Sequence, residues 1–506
     1  MPLLLLICLT LACLPIDWHL PPFGLDTGGS AALTGGMVAA LLFTARLFTI
    51  MTVARLARDP GDREAAGRAH SLRRLLFFFL NLGGFGFVLA ECGWGWTVKQ
   101  WLTVDGLFLP GAEILILAPY VVTLVGSWAL FYDAERALHR TAPGPALHGE
   151  YWSRGGYVLF LLRHHILMVF IPVALMIVQM GTLRADPNLL DSLWAKVAAF
   201  AGLFVFILLI PSLIPFVLGL RPMPPGRLRN RLEDAAARLG VRYRNLHVWD
   251  TRGNLATAMV AGLIPRFRQI VFTDLLLATL TEDEIEAVFG HEVGHVKHGH
   301  LIYYAVFLLL SFLTLGAVYQ AVQNSAWGGS WFKDDLQLIL AVVATGCYLF
   351  LVFGFVSRRC ERQADVYGCK AVSCREAGCD GHGPETALVR GGRGLCRTGV
   401  RTFARALERV EEVNGIARGS VTATRGGLFG RLAGALRLVG VWLGTWQHST
   451  IAKRLAFLRT LADDPGEEQR FQRRVALLRW GLLVLLVAGV AVLAAWSGFR
   501  GLLDGV

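Results

Sequence analysis

The chain is short of charge. Asp, Glu, Lys and Arg make up 17% of its 506 residues, where a soluble domain carries about 25%. Acidic residues are the scarcer kind, 37 against 49 basic, for a net charge of +12. No nucleic-acid-binding module accompanies that charge, and the arginines cluster in loops between apolar runs. The basic balance therefore points to membrane topology before nucleic acid. The first apolar run, Leu3–Ile16, lacks both a basic leader and a clean A-x-A site, which favours an uncleaved span over a signal peptide. The nine cysteines include no C-x-x-C pair, which removes the simplest redox or metal-knuckle spacing.

What is abundant is apolar sequence, 54% of the chain against about 45–50% for soluble proteins. It is concentrated in about nine runs that approach or exceed the roughly 20 residues needed to cross a bilayer. After Leu3–Ile16 come Ala31–Val53, Leu75–Val98, Leu107–Leu130, Val158–Met180, Trp194–Leu220, Leu301–Val322, Leu336–Val356 and Val475–Trp496. Basic loops follow alternate runs: Arg55 to Arg74, then Arg136 to Arg154, then Arg221 to Arg231. The positive-inside rule puts these loops in the cytoplasm. Residues 221–300 and 357–474 then face the cytoplasm, and Trp327–Asp335 lies outside. Glu91, Glu113, Arg163, His164 and His165 lie within or beside the runs; the two acids suit pairing with a cation inside the bundle, and the three bases suit snorkelling at a span end.

The segment from Pro224 to His300 reads as soluble α/β sequence. Leu228, Leu232, Ala235, Ala236 and Leu239 mark a helix. Leu246–Trp249, Ala258–Ala261 and Gln269–Thr273 read as strands. Thr281 and Glu284 form a capping box, and Glu282, Asp283 and Glu286 favour the positive end of the helix dipole. That helix carries His291-Glu292-Val293-Gly294-His295, an HExxH motif. Its two histidines are one turn apart on one face, so both can bind one zinc ion, and Glu292 sits beside them to take a proton from water that the metal activates. A strand next to such a helix can receive an extended substrate at its edge.

A catalytic zinc usually has a third protein ligand. Two apolar runs later stands Ser357-Arg358-Arg359-Cys360-Glu361-Arg362-Gln363-Ala364-Asp365. Glu361 falls on the same side of the membrane as His291 and can supply that ligand. Asp365, one turn on, can orient a ligand imidazole.

HEVGH followed by two apolar runs and SRRCERQAD resembles the integral-membrane zinc endopeptidases that include the HtpX heat-shock proteases and the CAAX prenyl endopeptidases. Thr257–Gly262 and Ile270–Leu276 resemble that family's edge strand and the strand before its zinc helix. His448-Ser449-Thr450-Ile451-Ala452-Lys453-Arg454 resembles its late His/Arg motif. The resemblance implies that His291, His295 and Glu361 bind zinc, that Glu292 is general base and acid, that Asp365 supports the ligands, and that His448 with Arg454 stabilises the oxyanion. Two positions depart from the family. Thr257 stands where Asn is usual, which directs attention to Asn254, and Ser449 stands where Pro is usual.

Cys360, Cys369, Cys374, Cys379 and Cys396, with His382 among them, crowd one stretch. They read either as unremarkable thiols or as a second, structural zinc site near Cys369, Cys374, Cys379 and His382. Leu428–Trp446, with Arg431 and Arg437, suits an amphipathic interfacial helix.

The sequence thus predicts a predominantly α-helical polytopic membrane protein with a small α+β gluzincin-like zinc protease domain. Residues 1–220 would form a membrane bundle of about six spans. Residues 221–300 and 357–472 would be the two halves of the catalytic domain, 301–356 two spans, and 473–506 a last span and tail. The implied protein is multi-pass, of bacterial inner-membrane type with its catalytic domain cytoplasmic. It would act on a peptide or membrane-protein substrate in contact with the lipid bilayer, and not on nucleic acid. A zinc-holding scaffold is the alternative, and intact Glu292 argues against it. A site-2-type protease would need an LDG motif near the zinc helix, whereas Leu503-Asp504-Gly505 is terminal.

Overall fold

The computed structural model of the chain describes residues 24–104, 107–109, 113–141, 151–165, 192–323, 344–374, 379, 395–414, 449–463 and 465–504. Leu3–Ile16, Trp327–Asp335, Leu428–Trp446, His382 and His448 lie outside the described residues. So do the second half of Val158–Met180 and the first part of Leu336–Val356. The described residues divide into two units, one ending at Gly219 and the other beginning at Leu220.

The first unit contains α1 (Thr27–Arg58), α2 (Arg63–Ala90), α3 (Trp94–Trp101), the short hairpin β1 (Thr103–Val104) and β2 (Leu107–Phe108), α4 (Glu113–Ile116), α5 (Ala118–Arg140), α6 (Arg154–His165) and α7 (Leu193–Leu218). Of the described helices of this unit, α1 and α2 are long and apolar enough to cross a membrane. Two apolar runs are not continuous helices. Leu75–Val98 stops at Ala90, and Gly93, at φ 67°, turns the chain into α3. That left-handed conformation costs glycine little and other residues more. Leu107–Leu130 is split into β2, α4 and α5, with Pro119 in the first turn of α5. Proline suits that position because its missing N–H would have no partner there, and it cannot extend the helix before it. Glu91 caps the end of α2 and is exposed, so it is not a buried bundle charge. Arg163, His164 and His165 form the last turn of α6.

The second unit opens with β3 (Arg221–Pro222), α8 (Arg227–Arg238), β4 (Asn245–Trp249), β5 (Ala258–Ala261), β6 (Gln269–Thr273), α9 (Asp274–Thr279) and α10 (Glu282–Lys297). The sheet order is β3-β4-β6-β5. β4 and β6 run parallel, whereas β3 and β5 are antiparallel to their neighbours, so β5 is an edge strand among the described residues. The capping box of α10 is formed: the Thr281 hydroxyl accepts from the Glu284 N–H, and the Glu284 carboxylate accepts from the Thr281 N–H at 2.9 Å. The acidic first turns of α10 also have partners on α8. Arg231 donates to Glu286 at 2.6 Å and to Asp283, and Arg238 donates to Glu286 at 2.5 Å.

Next come α11 (His300–Gln323), a π-helical turn (Leu349–Phe353) leading into α12 (Gly354–Ala371), α13 (Arg397–Val413), α14 (Ile451–Asp463) and α15 (Pro465–Asp504). Both α11 and α15 carry membrane-length apolar stretches. They pack together with the start of α12 around Tyr303, Phe307, Val356 and Cys360. Beyond that contact, α15 exposes Leu477, Trp480, Val484 and Leu485, an apolar face suited to lipid.

The closest packing in this unit is between α10 and α12. A Cβ at Gly294 would lie 2.9 Å from the Ala364 Cα and 2.8 Å from the Tyr367 Cβ; one at Gly368 would lie 2.9 Å from the Ala287 carbonyl. Absent side chains thus set how closely the two helices approach. We expect Gly294→Ala to lower stability by about 1–3 kcal/mol, the usual cost of overpacking, visible as a lower thermal midpoint in detergent. An unchanged midpoint would show that the approach tolerates a methyl group.

Candidate metal centre

His291 and His295 lie on α10, and Glu361 faces them from α12. The two Nε2 atoms are 3.3 Å apart. Glu361 reaches both, with Oε2 3.7 Å from the His291 Nε2 and Oε1 3.6 Å from the His295 Nε2. Donor atoms of all three residues lie within 4.8 Å of one another. The fit to zinc can be tested on these distances. A metal at about 2.05 Å from two nitrogens 3.3 Å apart would see them at an angle of about 107°, near tetrahedral. Two imidazoles and one carboxylate are the protein donor set of catalytic zinc. His291 and Glu361 are buried and His295 is half-buried.

Behind these residues lies a polar support. The Asp365 carboxylate, fully buried, is 3.0 Å from the His291 Nδ1. It takes two hydrogen bonds from Arg454 on α14, one from Nε at 2.9 Å and one from Nη2. Burial works against the charged form of Asp365, but the Arg454 guanidinium outweighs it and holds the carboxyl below its ordinary range. Burial likewise works against protonated His291, and the Asp365 carboxylate reverses that and raises its pKa. Phe403 of α13 stacks on the His291 ring with centroids 5.7 Å apart.

His295 has its own support, which sequence reasoning missed. His300 Nδ1 lies 3.0 Å from His295 Nδ1. His300 Nε2 contacts Gln363 Oε1 at 3.2 Å, and Gln363 donates to Gln472 Oε1 at 2.6 Å. A histidine five residues after the motif was the available signal. It reads as helix C-terminal charge unless the turn at Gly299, φ 62°, is anticipated.

Glu292 turns towards the sheet. Its Oε2 accepts a hydrogen bond from the Val260 N–H of β5 at 3.0 Å. Strand alternation sends the backbone groups of Ala258 and Val260 to the open edge, while Met259 and Ala261 face β6. The base candidate therefore meets the edge where an added peptide strand would lie. Just before β5, Asn414 at the end of α13 clamps Ala256, accepting from its N–H at 2.9 Å and donating to its carbonyl at 2.8 Å.

Other expectations fare differently. Asn254 spends its amide on its own turn, donating to the carbonyls of Thr251 and Arg252, so it does not replace an asparagine at Thr257. Arg454 is engaged with Asp365, which puts it behind the ligands instead of on an oxyanion. Ser449 has φ 65°, a value closed to proline, whose ring fixes φ near −65°. Among the clustered cysteines, Cys369 packs in the core formed by α10, α12, α13 and α14. Cys360 packs against α11. The thiols that converge are those of Cys374, Cys379 and Cys396.

The fold and this centre define a membrane metalloendopeptidase. Residues 222–381 match the model of peptidase family M48. The chain is 27% identical over 333 residues to the CAAX prenyl protease 1 homolog of Oryza sativa subsp. japonica, covering 61% of this chain and 76% of that protein. It is 33% identical over 185 residues to a protease HtpX homolog of Pyrobaculum aerophilum, covering 34% and 52% respectively. The fold is similar to the crystal structure of S. mikatae Ste24p, with a TM-score of 0.52 and 16% identity over 85% of this chain and 98% of that one.

Two expectations follow from the support behind the ligands. Asp365→Asn would strand the buried Arg454 charge, and we expect a loss of about 3–5 kcal/mol. Because the folded pKa of Asp365 is depressed, its stabilisation is complete above the unfolded value of about 3.9 and is lost as pH falls further. The gap between wild type and variant in urea midpoint should therefore close on acidification below about pH 4. A gap independent of pH would contradict the charged pair. His300→Ala should weaken zinc affinity about 10–100-fold, measured by competition with a chromophoric chelator. Unchanged affinity would make the His295–His300 contact incidental.

Proposed function

We propose that the protein is a zinc-dependent endopeptidase that hydrolyses peptide bonds of membrane-associated or misfolded proteins at the cytoplasmic face. The observation that carries this reading is the meeting of three elements. Two imidazoles and a carboxylate converge on one point, and the remaining acid of the motif, Glu292, meets the open edge of the sheet. A zinc site kept only for stability has no use for that last contact.

In this reading His291, His295 and Glu361 hold the metal. Zinc held there supplies Lewis acidity, polarising the scissile carbonyl and acidifying water. An extended peptide lies along β5, paired with the outward backbone groups of Ala258 and Val260. Glu292 leaves the Val260 N–H as the substrate arrives, accepts the proton of the attacking water and returns it to the leaving nitrogen. Asp365 holds the ring orientation of His291, and Arg454 holds Asp365. His448 is the oxyanion donor we propose from the family resemblance. Residues 221–300 and 357–472 make up the catalytic domain, and the arginine-rich loops support its cytoplasmic side.

The test pairs two variants in detergent or proteoliposomes. Glu292→Gln should lower cleavage of an unfolded membrane-protein reporter by about 100-fold or more, with its zinc content unchanged. Glu361→Ala should lose both zinc and activity. If Glu292→Gln keeps full activity, or wild type with bound zinc cleaves neither unfolded membrane proteins nor prenylated peptides, the hydrolytic reading fails.

A further inference from the structure

The second cluster of soft ligands lies away from the centre described above. Cys374 follows the end of α12, Cys379 comes five residues later, and Cys396 is the N-cap of α13. Their three sulfurs lie within 4.8 Å of one another, and none of the three is in a disulfide. Cys379 and Cys396 are buried, and Cys374 is partly accessible. Four residues separate Cys374 from Cys379, which is inside the C-x2–4-C range of structural zinc sites. Zinc–sulfur bonds of about 2.3 Å in a tetrahedron put sulfurs about 3.8 Å apart, so small side-chain rotations bring the three to bonding positions.

The surroundings are built for sulfur that carries charge. The Cys396 Sγ accepts the Gly399 N–H at 3.3 Å. The Cys396 N–H donates to the Ser373 Oγ at 3.1 Å, which itself donates to the Cys369 carbonyl at 2.8 Å. Thr398 lies 3.4 Å from the Cys379 Sγ and donates to the Cys379 carbonyl at 3.0 Å. Gly399 permits this closeness, since a Cβ there would lie 2.8 Å from the Cys369 carbonyl oxygen. The Cys396 sulfur, buried beside two other thiols, thus has a backbone N–H directed at it.

We propose that Cys374, Cys379 and Cys396 are three ligands of a second, structural zinc ion that clasps the C-terminal end of α12 to the N-terminus of α13. Thiolates select a soft ion of this kind over magnesium or calcium. The clasp matters to the catalytic centre because α13 carries both Phe403, stacked on His291, and Asn414, clamped to Ala256 before the edge strand. Removal of the ion would release α13 at its first turn. The proposal does not rest on the hydrolytic reading, since its three ligands are distinct from His291, Glu292, His295 and Glu361.

Cobalt substitution of the full-length protein in detergent tests it. Cobalt bound by thiolates gives an intense near-ultraviolet sulfur-to-metal charge-transfer absorption, whereas cobalt in a two-histidine, one-carboxylate site gives none. Wild type should bind two ions and show this absorption. Glu361→Ala should bind one and keep it. Cys374→Ser/Cys396→Ser should bind one and lose it, while still binding cobalt at the other site. Absence of the absorption from metal-loaded wild type overturns the proposal without reliance on any variant. So does thiol trapping that finds two of the three cysteines joined as a disulfide in protein purified under reductant. Loss of the hydrolytic activity in Glu361→Ala with the absorption intact separates failure of one site from failure of the other.

Discussion

The close approach of α10 and α12 is the constraint on which the rest of the second unit depends. The two histidines sit on one helix and the glutamate on the other, so the ligand set exists only where these helices nearly touch. Gly294 and Gly368 permit the contact, because a side chain at either would meet backbone or Cβ atoms of the other helix inside 3 Å. Burial at this contact makes an unpaired charge cost several kcal/mol. Asp365 and Arg454 avoid that cost as a pair and, through His291, turn the pairing into ring orientation.

The support of the two histidines is asymmetric. His291 is backed by a charged pair and covered by an aromatic ring, whereas His295 is backed by a chain of neutral groups through His300, Gln363 and Gln472. A carboxylate behind an imidazole makes it a stronger donor, while a neutral partner orients without adding charge. The centre therefore has one strongly fixed ligand and one that takes its place from elements reaching into the membrane-length helices α11 and α15. This ties the His295 side of the centre to helices that carry membrane-length apolar stretches.

The chain shows its local features in sequence and hides its distant ones. The capping box, the zinc helix, β5 and β6, and the pairing of Glu361 with the HExxH motif were all legible, because each rests on spacing within one element or on a recurrent motif. The Asp365–Arg454 pair spans 89 residues and the Asn414–Ala256 clamp spans 158, and no local periodicity announces either. Apolar runs misled where turn chemistry interrupts them. Leu75–Val98 and Leu107–Leu130 read as uninterrupted runs, yet Gly93 turns the chain after the span-length helix Arg63–Ala90 and Pro119 lies in the first turn of a new helix within the second run. The cysteines were legible as a cluster, but which thiols converge was not. Cys369 turns into a helix core and Cys396 replaces it, a choice made by helix phase and not by spacing along the chain.

The zinc K-edge X-ray absorption spectrum of the Cys374→Ser/Cys396→Ser protein in detergent tests the central claim most directly. With two of the three thiolates removed, the account predicts one bound zinc with a first shell of nitrogen and oxygen alone at about 2.0–2.2 Å, including the outer-shell scattering of two imidazole rings. A first shell that still contains sulfur, or a protein that holds no zinc when the metal is supplied, would contradict the assignment of His291, His295 and Glu361.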